Sequence, residues 1–334
     1  MDDGAEHWPL PPRSRTDSGT MRRIGVELEM TGPPLSELAR LVARWLGGRA
    51  EAVGRYEYKV SGDPAGDWGV ELDVTFLKQW GRRDRPVHRG WPGLDEAAED
   101  IVRLGVEQVM PMEVVSPPLP MDRLARVDDL IAELRAAGAK GTAGTVVHAF
   151  GLQLNPEMPA TDADTITAYL KAFFCLFDWL KWRAKVDFSR RLTTFVDPFP
   201  VDYMRRVVDP GYWPDRDDLI RDYLAANPTR NRALDLLPLF AYLDARQVRA
   251  VVDDPRINPR PALHYRLPNS EIDRPGWGVW PAWRDWLQVE YLAAKRESLE
   301  AVCRDYAVFL DRPMHAVFGN WAKTVSTWLQ PIGR

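Results

Sequence analysis

The sequence predicts an α+β fold: a mainly antiparallel sheet packed with helices, then a largely helical C-terminal half. Three observations predict it. Stretches in which apolar residues alternate with polar ones are short, and nearly all precede residue 156. Beyond that point the apolar residues recur at helical spacing over long segments. Carboxylates also recur on the strand faces opposite the apolar residues. That arrangement suits an antiparallel sheet with one open face, not a parallel sheet buried on both.

The first strand is expected at residues 21 to 30, where Ile24, Val26, Leu28 and Met30 alternate with Gly25, Glu27 and Glu29. The twenty residues before it are rich in Pro, Arg, Asp and Ser, lack periodicity, and read as a mobile tail. A helix follows over 35 to 46, with Leu35, Leu38, Val42 and Trp45 on one stripe and Gly47-Gly48 as its stop. Residues 55 to 60 and 68 to 77 read as strands joined by a Ser-Gly-Asp-Pro turn. A helix over 94 to 104, a strand over 112 to 116, a helix over 121 to 137 and a strand over 145 to 155 complete the sheet-rich part. Segments 162 to 186, 216 to 226, 231 to 252 and 282 to 310 favour helix, and only 262 to 267 returns as a strand. Residues 21 to 334 are therefore read as one domain, sheet-rich to 156 and helix-rich after it.

With 334 residues and 45% hydrophobic composition, the chain has enough apolar surface for a sizeable core. A net charge of −4 argues against a dedicated nucleic-acid binder, which carries a basic stripe. Apolar runs are interrupted by charges and the N-terminus lacks an apolar signal core, so neither membrane span nor secretion signal is expected and cytoplasm is the default. The two cysteines, Cys175 and Cys303, sit in apolar helical stretches and read as reduced core thiols. Of fourteen tryptophans, Trp277, Trp280, Trp283 and Trp286 cluster late; packing of a helical region explains them better than a nucleobase platform.

The most informative pattern is the placement of acids. Glu27 and Glu29 are two apart on one strand and so share a face; Glu71 and Asp73 repeat this, and Glu57 with Lys59 gives a mixed version. Glu113 lies inside a short apolar strand, and His148 in another that continues to Gln153 and Asn155. Like charges facing one another across a sheet are destabilising. Hard divalent cations relieve this, and Mg2+ suits carboxylates together with nucleotide phosphates. Any one of these pairs read alone is better explained as solvated side chains; the recurrence on four strands favours a metal-binding face. A lone His148 is more often a core histidine, but in this company it is a candidate metal or phosphate ligand. The phosphate-binding GxxxxGK[ST] loop, GxGxxG, GxSxG and HExxH are all missing.

Taken in order, IGVELEM, WGVELDVTFL, MEVVSPPL, VVHAFGLQLN and LHYRLPNSEI resemble the amidoligase family, over roughly residues 22 to 275. That family is similar in fold to glutamine synthetase and glutamate–cysteine ligase. The resemblance implies a curved sheet of that type and a carboxylate–amine ligase dependent on ATP. It also implies two or three Mg2+ ions, with Mn2+ as an alternative, and an acyl-phosphate intermediate. By matching motifs, Glu27, Glu29 and Glu113 are expected as metal ligands, with Glu71 beside them. Asp73 would bind metal or orient the amine. His148 would sit near a metal and the phosphates, and Arg266 would face phosphate. Lys59 is a candidate phosphate contact, with a surface salt bridge as the plain alternative. The sequence departs from the pattern at His264, where the fold's motif has glutamate; His264 is expected as a ligand in its place, with Glu271 as a substitute carboxylate. Arg190-Arg191 and Arg230-Asn231-Arg232 are further candidates for an anion, or solvated charges. The expected partners are small-molecule or peptide carboxylates and amines, with no nucleic acid or membrane and an open oligomeric state. Two rival readings are a non-catalytic nucleotide-, metal- or peptide-binding module and a metal-dependent hydrolase.

Overall fold

The computed structural model describes residues 8–72, 111–142, 150–184, 197–312 and 320–333. Strand β1 (Arg23–Met30) forms as its alternation predicts, and Ile24, Val26, Leu28 and Met30 are all buried. Removing each of these side chains from water stabilises the fold by about 1.5–3 kcal/mol. Helix α1 (Leu35–Leu46) follows and ends at Gly47, whose φ of 65° closes the last turn. Gly48 serves a different need. A Cβ there would lie 1.6 Å from the Ser61 carbonyl oxygen, so only glycine lets the chain enter the sheet at this point.

Strands β2 (Arg49–Gly54), β3 (Glu57–Asp63), β4 (Gly66–Leu72), β5 (Met112–Val115), β6 (Leu119–Pro120), β7 (Leu152–Pro156), β8 (Leu234–Asp235) and β9 (His264–Tyr265) complete one sheet with β1. Its order is β2-β3-β4-β5-β1-β7-β9-β8, with β6 alongside β1, and every pairing is antiparallel. The architecture is α+β, as expected, and β1 lies at the middle of the sheet.

One face of the sheet is covered. Helix α1 packs on β2, β3 and β4, and α2 (Arg126–Ala136) packs on α1. At the other end, Tyr265 of β9 meets Phe173 of α3 (Ala163–Arg183) and Trp286 of α7 (Trp280–Ala293). Around α3 gather α4 (Val201–Val208), α7, α8 (Arg296–Leu310) and α9 (Trp321–Val325), while α5 (Arg216–Ala226) packs on α6 (Leu237–Val251). Buried Arg22 pairs with Glu290 of α7 at 2.8 Å, fastening the start of β1 to that helix.

Several boundaries differ from expectation. The chain is packed from Trp8 onward, so residues 8 to 20 are not a mobile tail: Trp8 lies 5.3 Å from Trp280, ring to ring, and the Trp283 indole donates to the Pro9 carbonyl at 3.1 Å. Residues 49 to 54 form a strand that pattern did not signal, because most of them are exposed and the ladder with β3 sets them. The helix expected from 231 begins at Leu237; β8 precedes it, drawn into the sheet by β9. The helix expected over 282 to 310 is two, parted at Ala294 and Lys295. That over 121 to 137 is a 3-10 turn (Met121–Arg123) and then α2. The expected helix over 94 to 104, and parts of the strands over 68 to 77 and 145 to 155, lie outside the described residues.

Candidate active site

The face of the sheet opposite the helices carries the acids, and the register aligns them. Glu57 of β3 stands opposite Glu71 of β4, Glu71 opposite Glu113 of β5, and Glu113 opposite Glu29 of β1. Adjacent strands lie about 4.8 Å apart, so this is a continuous row of four carboxylates. The next rung runs from Lys59 through Gly69 and Val115 to Glu27 and Gln153. Four of the expected ligands, Glu27, Glu29, Glu71 and Glu113, thus share one face across three strands.

Strand β7 and Gly151, the residue before it, supply the amides that hold two of them. The Gln153 side chain donates to Glu29 Oε1 and the Gly151 N–H to Glu29 Oε2, both at 2.7 Å. Asn155 donates to Glu27 Oε1 at 2.7 Å, and Arg260 donates to Asn155 Oδ1 at 2.8 Å. Glu29 is acceptor-only when ionised, so it fixes which end of the Gln153 amide faces it.

His264 completes the face, standing opposite Asp235 of β8. Its Nε2 lies 2.5 Å from Gln153 Oε1 and 3.8 Å from Glu27 Oε2, and its Nδ1 is 3.6 Å from Asp235 Oδ2. Asp235 is fully buried, and its other oxygen accepts the Leu237 N–H at 2.9 Å. Burial pushes the His264 imidazole below its ordinary range; Arg266 adds to this, and the carboxylates of Asp235 and Glu27 oppose it. Burial alone would push Glu27 up, but it is outweighed by His264, Arg260, the Asn155 amide and a hydrogen bond shared with Glu113, which leave Glu27 below the usual carboxylate range.

Other expected site residues stand differently. Lys59 is exposed and pairs with Asp67 at 2.9 Å, the plain alternative foreseen for it. Glu271 pairs with Arg274 at 3.0 Å. Arg266, two residues beyond His264, shares its face and donates to the Arg230 carbonyl at 2.7 Å. Arg232 is buried and donates to the Pro198 and Ala226 carbonyls, which makes it a strut between segments. Asp73, His148, Arg190 and Arg191 lie outside the described residues. Asp235 and Arg260 were not foreseen. Asp235 sits in the apolar run ALDLLPLF, where nothing in the pattern marks it, and Arg260 lies in a loop without periodicity.

Among the described residues, no three His, Cys, Asp or Glu side chains close up into a ready-made metal cage. The carboxylates of Glu27 and Glu29 are drawn instead toward the amide donors of β7. The donor set still fits a hard cation: carboxylate oxygens aligned on adjacent strands, whose mutual repulsion a divalent ion would relieve.

An open antiparallel sheet, helices on one face and carboxylates in register on the other, defines an α+β protein whose candidate chemistry lies on the sheet itself. The chain matches the family model described as putative amidoligase enzyme over residues 20–288, most of its length, and it belongs to that family. The family points to a ligase. No curated protein and no solved structure matches the chain.

Proposed function

We propose that this chain is a cytoplasmic ligase, dependent on ATP and Mg2+, that joins a carboxylate to an amine on a sheet of the glutamine synthetase and glutamate–cysteine ligase type. The observation that carries this reading is the register of Glu57, Glu71, Glu113 and Glu29, with Glu27 beside them, in a member of an amidoligase family. An aligned row of acids on one face is costly unless cations share it.

In this reading Glu27, Glu29 and Glu113 hold two or three divalent ions, Mg2+ or Mn2+, with Glu71 adjoining. Bound ions would neutralise phosphate charge and orient the oxygens of ATP. A substrate carboxylate oxygen takes the terminal phosphoryl group and ADP leaves. The amine nitrogen then attacks the acyl carbon, phosphate departs, and the nitrogen gives up a proton. Positioning and charge neutralisation are most of what phosphoryl transfer requires. Arg266, with a fixed charge and a planar fork of donors, faces the transferring group. Gln153, Asn155 and the Gly151 N–H hold the ligand carboxylates in place. His264 serves as a neutral ligand or hydrogen-bonding group where the fold's motif has glutamate. Asp73 and His148 keep the roles the resemblance gives them, in amine orientation and phosphate contact. Lys59, committed to Asp67 at an exposed position, has no part in this reading.

The test is a thermal melt with a non-hydrolysable ATP analogue and Mg2+, singly and together, on wild type and Glu29→Gln. At about a hundredfold over Kd, binding should stabilise by about 2.7 kcal/mol, hence several degrees. A shift that requires both ligands and disappears in the variant is the expected result. Absence of any shift in wild type would overturn the proposal.

A further inference from the structure

Three reactive groups of the helical half have no part in the acidic face. The chain has two cysteines, Cys175 on α3 and Cys303 on α8, and both are buried free thiols. Their sulfurs lie 3.6 Å apart, within hydrogen-bonding distance of one another. One turn before Cys175, on the same side of α3, is Lys171. Its ammonium is buried too. It donates to the Val207 and Asp209 carbonyls at 2.6 Å and faces the rings of Trp213 and Tyr212 at 4.9 and 5.9 Å. Burial pulls its affinity for its proton down; the groups that hold it up are, in order, Cys303, Cys175 and Asp209. The Asp209 carboxylate is itself taken by the Gly211 N–H at 2.7 Å. The buried cation therefore leans on the two sulfurs. Cys303 responds in kind: the bond from Cys175 holds its thiol below the ordinary range against burial, with Lys171 and Arg304 aiding and Glu300 opposing. Burial and the contact with Cys303 push Cys175 up. Thiols that only fill space in a core need no cation beside them, and a buried charge is costly unless something answers it.

We propose that Cys175 and Cys303 form an oxidation site, a dithiol that a peroxide closes to a disulfide joining α3 to α8. Cys303 is the attacking sulfur, because the thiolate is the nucleophile and Lys171 favours it there. Its sulfur takes one peroxide oxygen as the O–O bond breaks, which leaves a sulfenic acid and one water. Cys175 then attacks the sulfenic sulfur, the S–S bond forms, and the oxygen departs as a second water. The peroxide gains two electrons, the sulfurs give up two, and the two thiol protons leave in the waters. Access runs past α9, whose Trp321 spans both helices at this level: its indole donates to the Cys175 carbonyl at 2.7 Å, and it lies 4.8 Å, ring to ring, from Tyr306 of α8. The bond links residues 128 apart in the chain, so it restricts the unfolded state and raises the melting temperature.

The test treats the folded chain with hydrogen peroxide in the presence of a metal chelator, blocks the remaining thiols in denaturant, and reads thiol content and intact mass without reductant. It compares wild type with Cys175→Ala, Cys303→Ala, Lys171→Met and Lys171→Arg. The expected result for wild type is loss of both thiols together in a single chain two hydrogens lighter, reversed by dithiothreitol, with the oxidised protein melting several degrees higher. Neither cysteine variant should lose hydrogens. Lys171→Met should slow the closure at least about tenfold and Lys171→Arg less, both read at temperatures where melts show the variants folded. Survival of both thiols in the folded wild type, closure only in urea, or a disulfide between two chains would overturn the proposal, and an unchanged rate in Lys171→Met would overturn the part given to Lys171. No nucleotide or metal enters the test, so its outcome is independent of the ligase reading.

Discussion

At the scale of single residues, charge decides more than shape. Asp63 is almost wholly buried at the end of β3, yet it accepts two bonds from Arg123, at 2.9 and 3.1 Å, one from the Ala65 N–H at 2.8 Å and one from the Trp68 indole at 3.2 Å. Burial raises its affinity for a proton; the Arg123 bonds, the Ala65 N–H and Trp68 outweigh burial and hold the carboxyl below its usual range. A carboxyl lowered on folding contributes stability above its unfolded pKa, and that contribution is lost as pH falls through the folded value. Asp63→Asn should therefore cost about 2 kcal/mol at neutral pH and much less in strong acid. Denaturant melts at both pH values check this, and an equal loss at both would contradict it. The same rule holds on the acidic face: Glu27 is also kept below the usual carboxylate range, against burial, by His264, Arg260 and Asn155, so Glu27→Gln should lower the melting temperature at neutral pH. Glu27→Gln and Glu113→Gln should each lose at least tenfold in ATP turnover at temperatures where the variants stay folded. A coupled assay for ADP release reads the loss, and full activity in both would dismiss the ligand assignment.

At the scale of elements, the sheet and the helical half are joined by a few buried polar contacts. Glu290 of α7 receives both outer nitrogens of Arg22, at 2.9 and 2.8 Å, the Tyr169 hydroxyl of α3 and the Trp286 indole. Every side chain in that cluster is buried. Removing one partner of a buried ion pair leaves an uncompensated charge and typically costs 3–5 kcal/mol. Glu290→Gln should destabilise the chain by about that amount, through Arg22, with no carboxylate of the acidic face touched. Urea melts would show it, and a change below about 1 kcal/mol would mean that the cluster relaxes around the loss. Lys171 does comparable work inside the helical half. Its ammonium donates to the Val207 and Asp209 carbonyls at 2.6 Å, where a cation meets the C-terminal end of α4.

At the scale of the whole molecule, the N-terminal segment belongs to the fold. Trp8 is buried against Trp280, Arg22 also donates to the Arg13 carbonyl, and residues 15 and 21 bridge. Deleting residues 1 to 20 should lower the melting temperature by several degrees, since burial of Trp8 alone contributes about 1.5–3 kcal/mol. An unchanged melt would restore the reading of these residues as a tail. The deletion leaves the acidic face intact, so binding of Mg2+ with the ATP analogue should persist at temperatures where the shortened chain stays folded. Among the described residues, no helix is long and apolar enough to cross a membrane.

By itself the sequence determined that this is an α+β protein with an antiparallel sheet, that β1 presents Glu27 and Glu29 on one side and four apolar residues on the other, and that Glu71 and Glu113 lie on similar strands. Period-two alternation is a local property, and the face a side chain takes follows from its place in the strand. Only the tertiary structure decided which acids stand opposite one another, because register depends on pairings between strands far apart in the chain, as for Glu27 and Gln153 or Glu29 and Glu113. It alone placed Asp235 beside His264, and Arg230 beside Arg266, since each pair joins segments with no common periodicity. It also turned residues 49 to 54 and 234 to 235 into strands, because a neighbouring strand's unsatisfied backbone groups outweigh weak local preference. Burial worked in the same way on Trp8: a segment without pattern becomes ordered once a distant helix offers it an apolar surface.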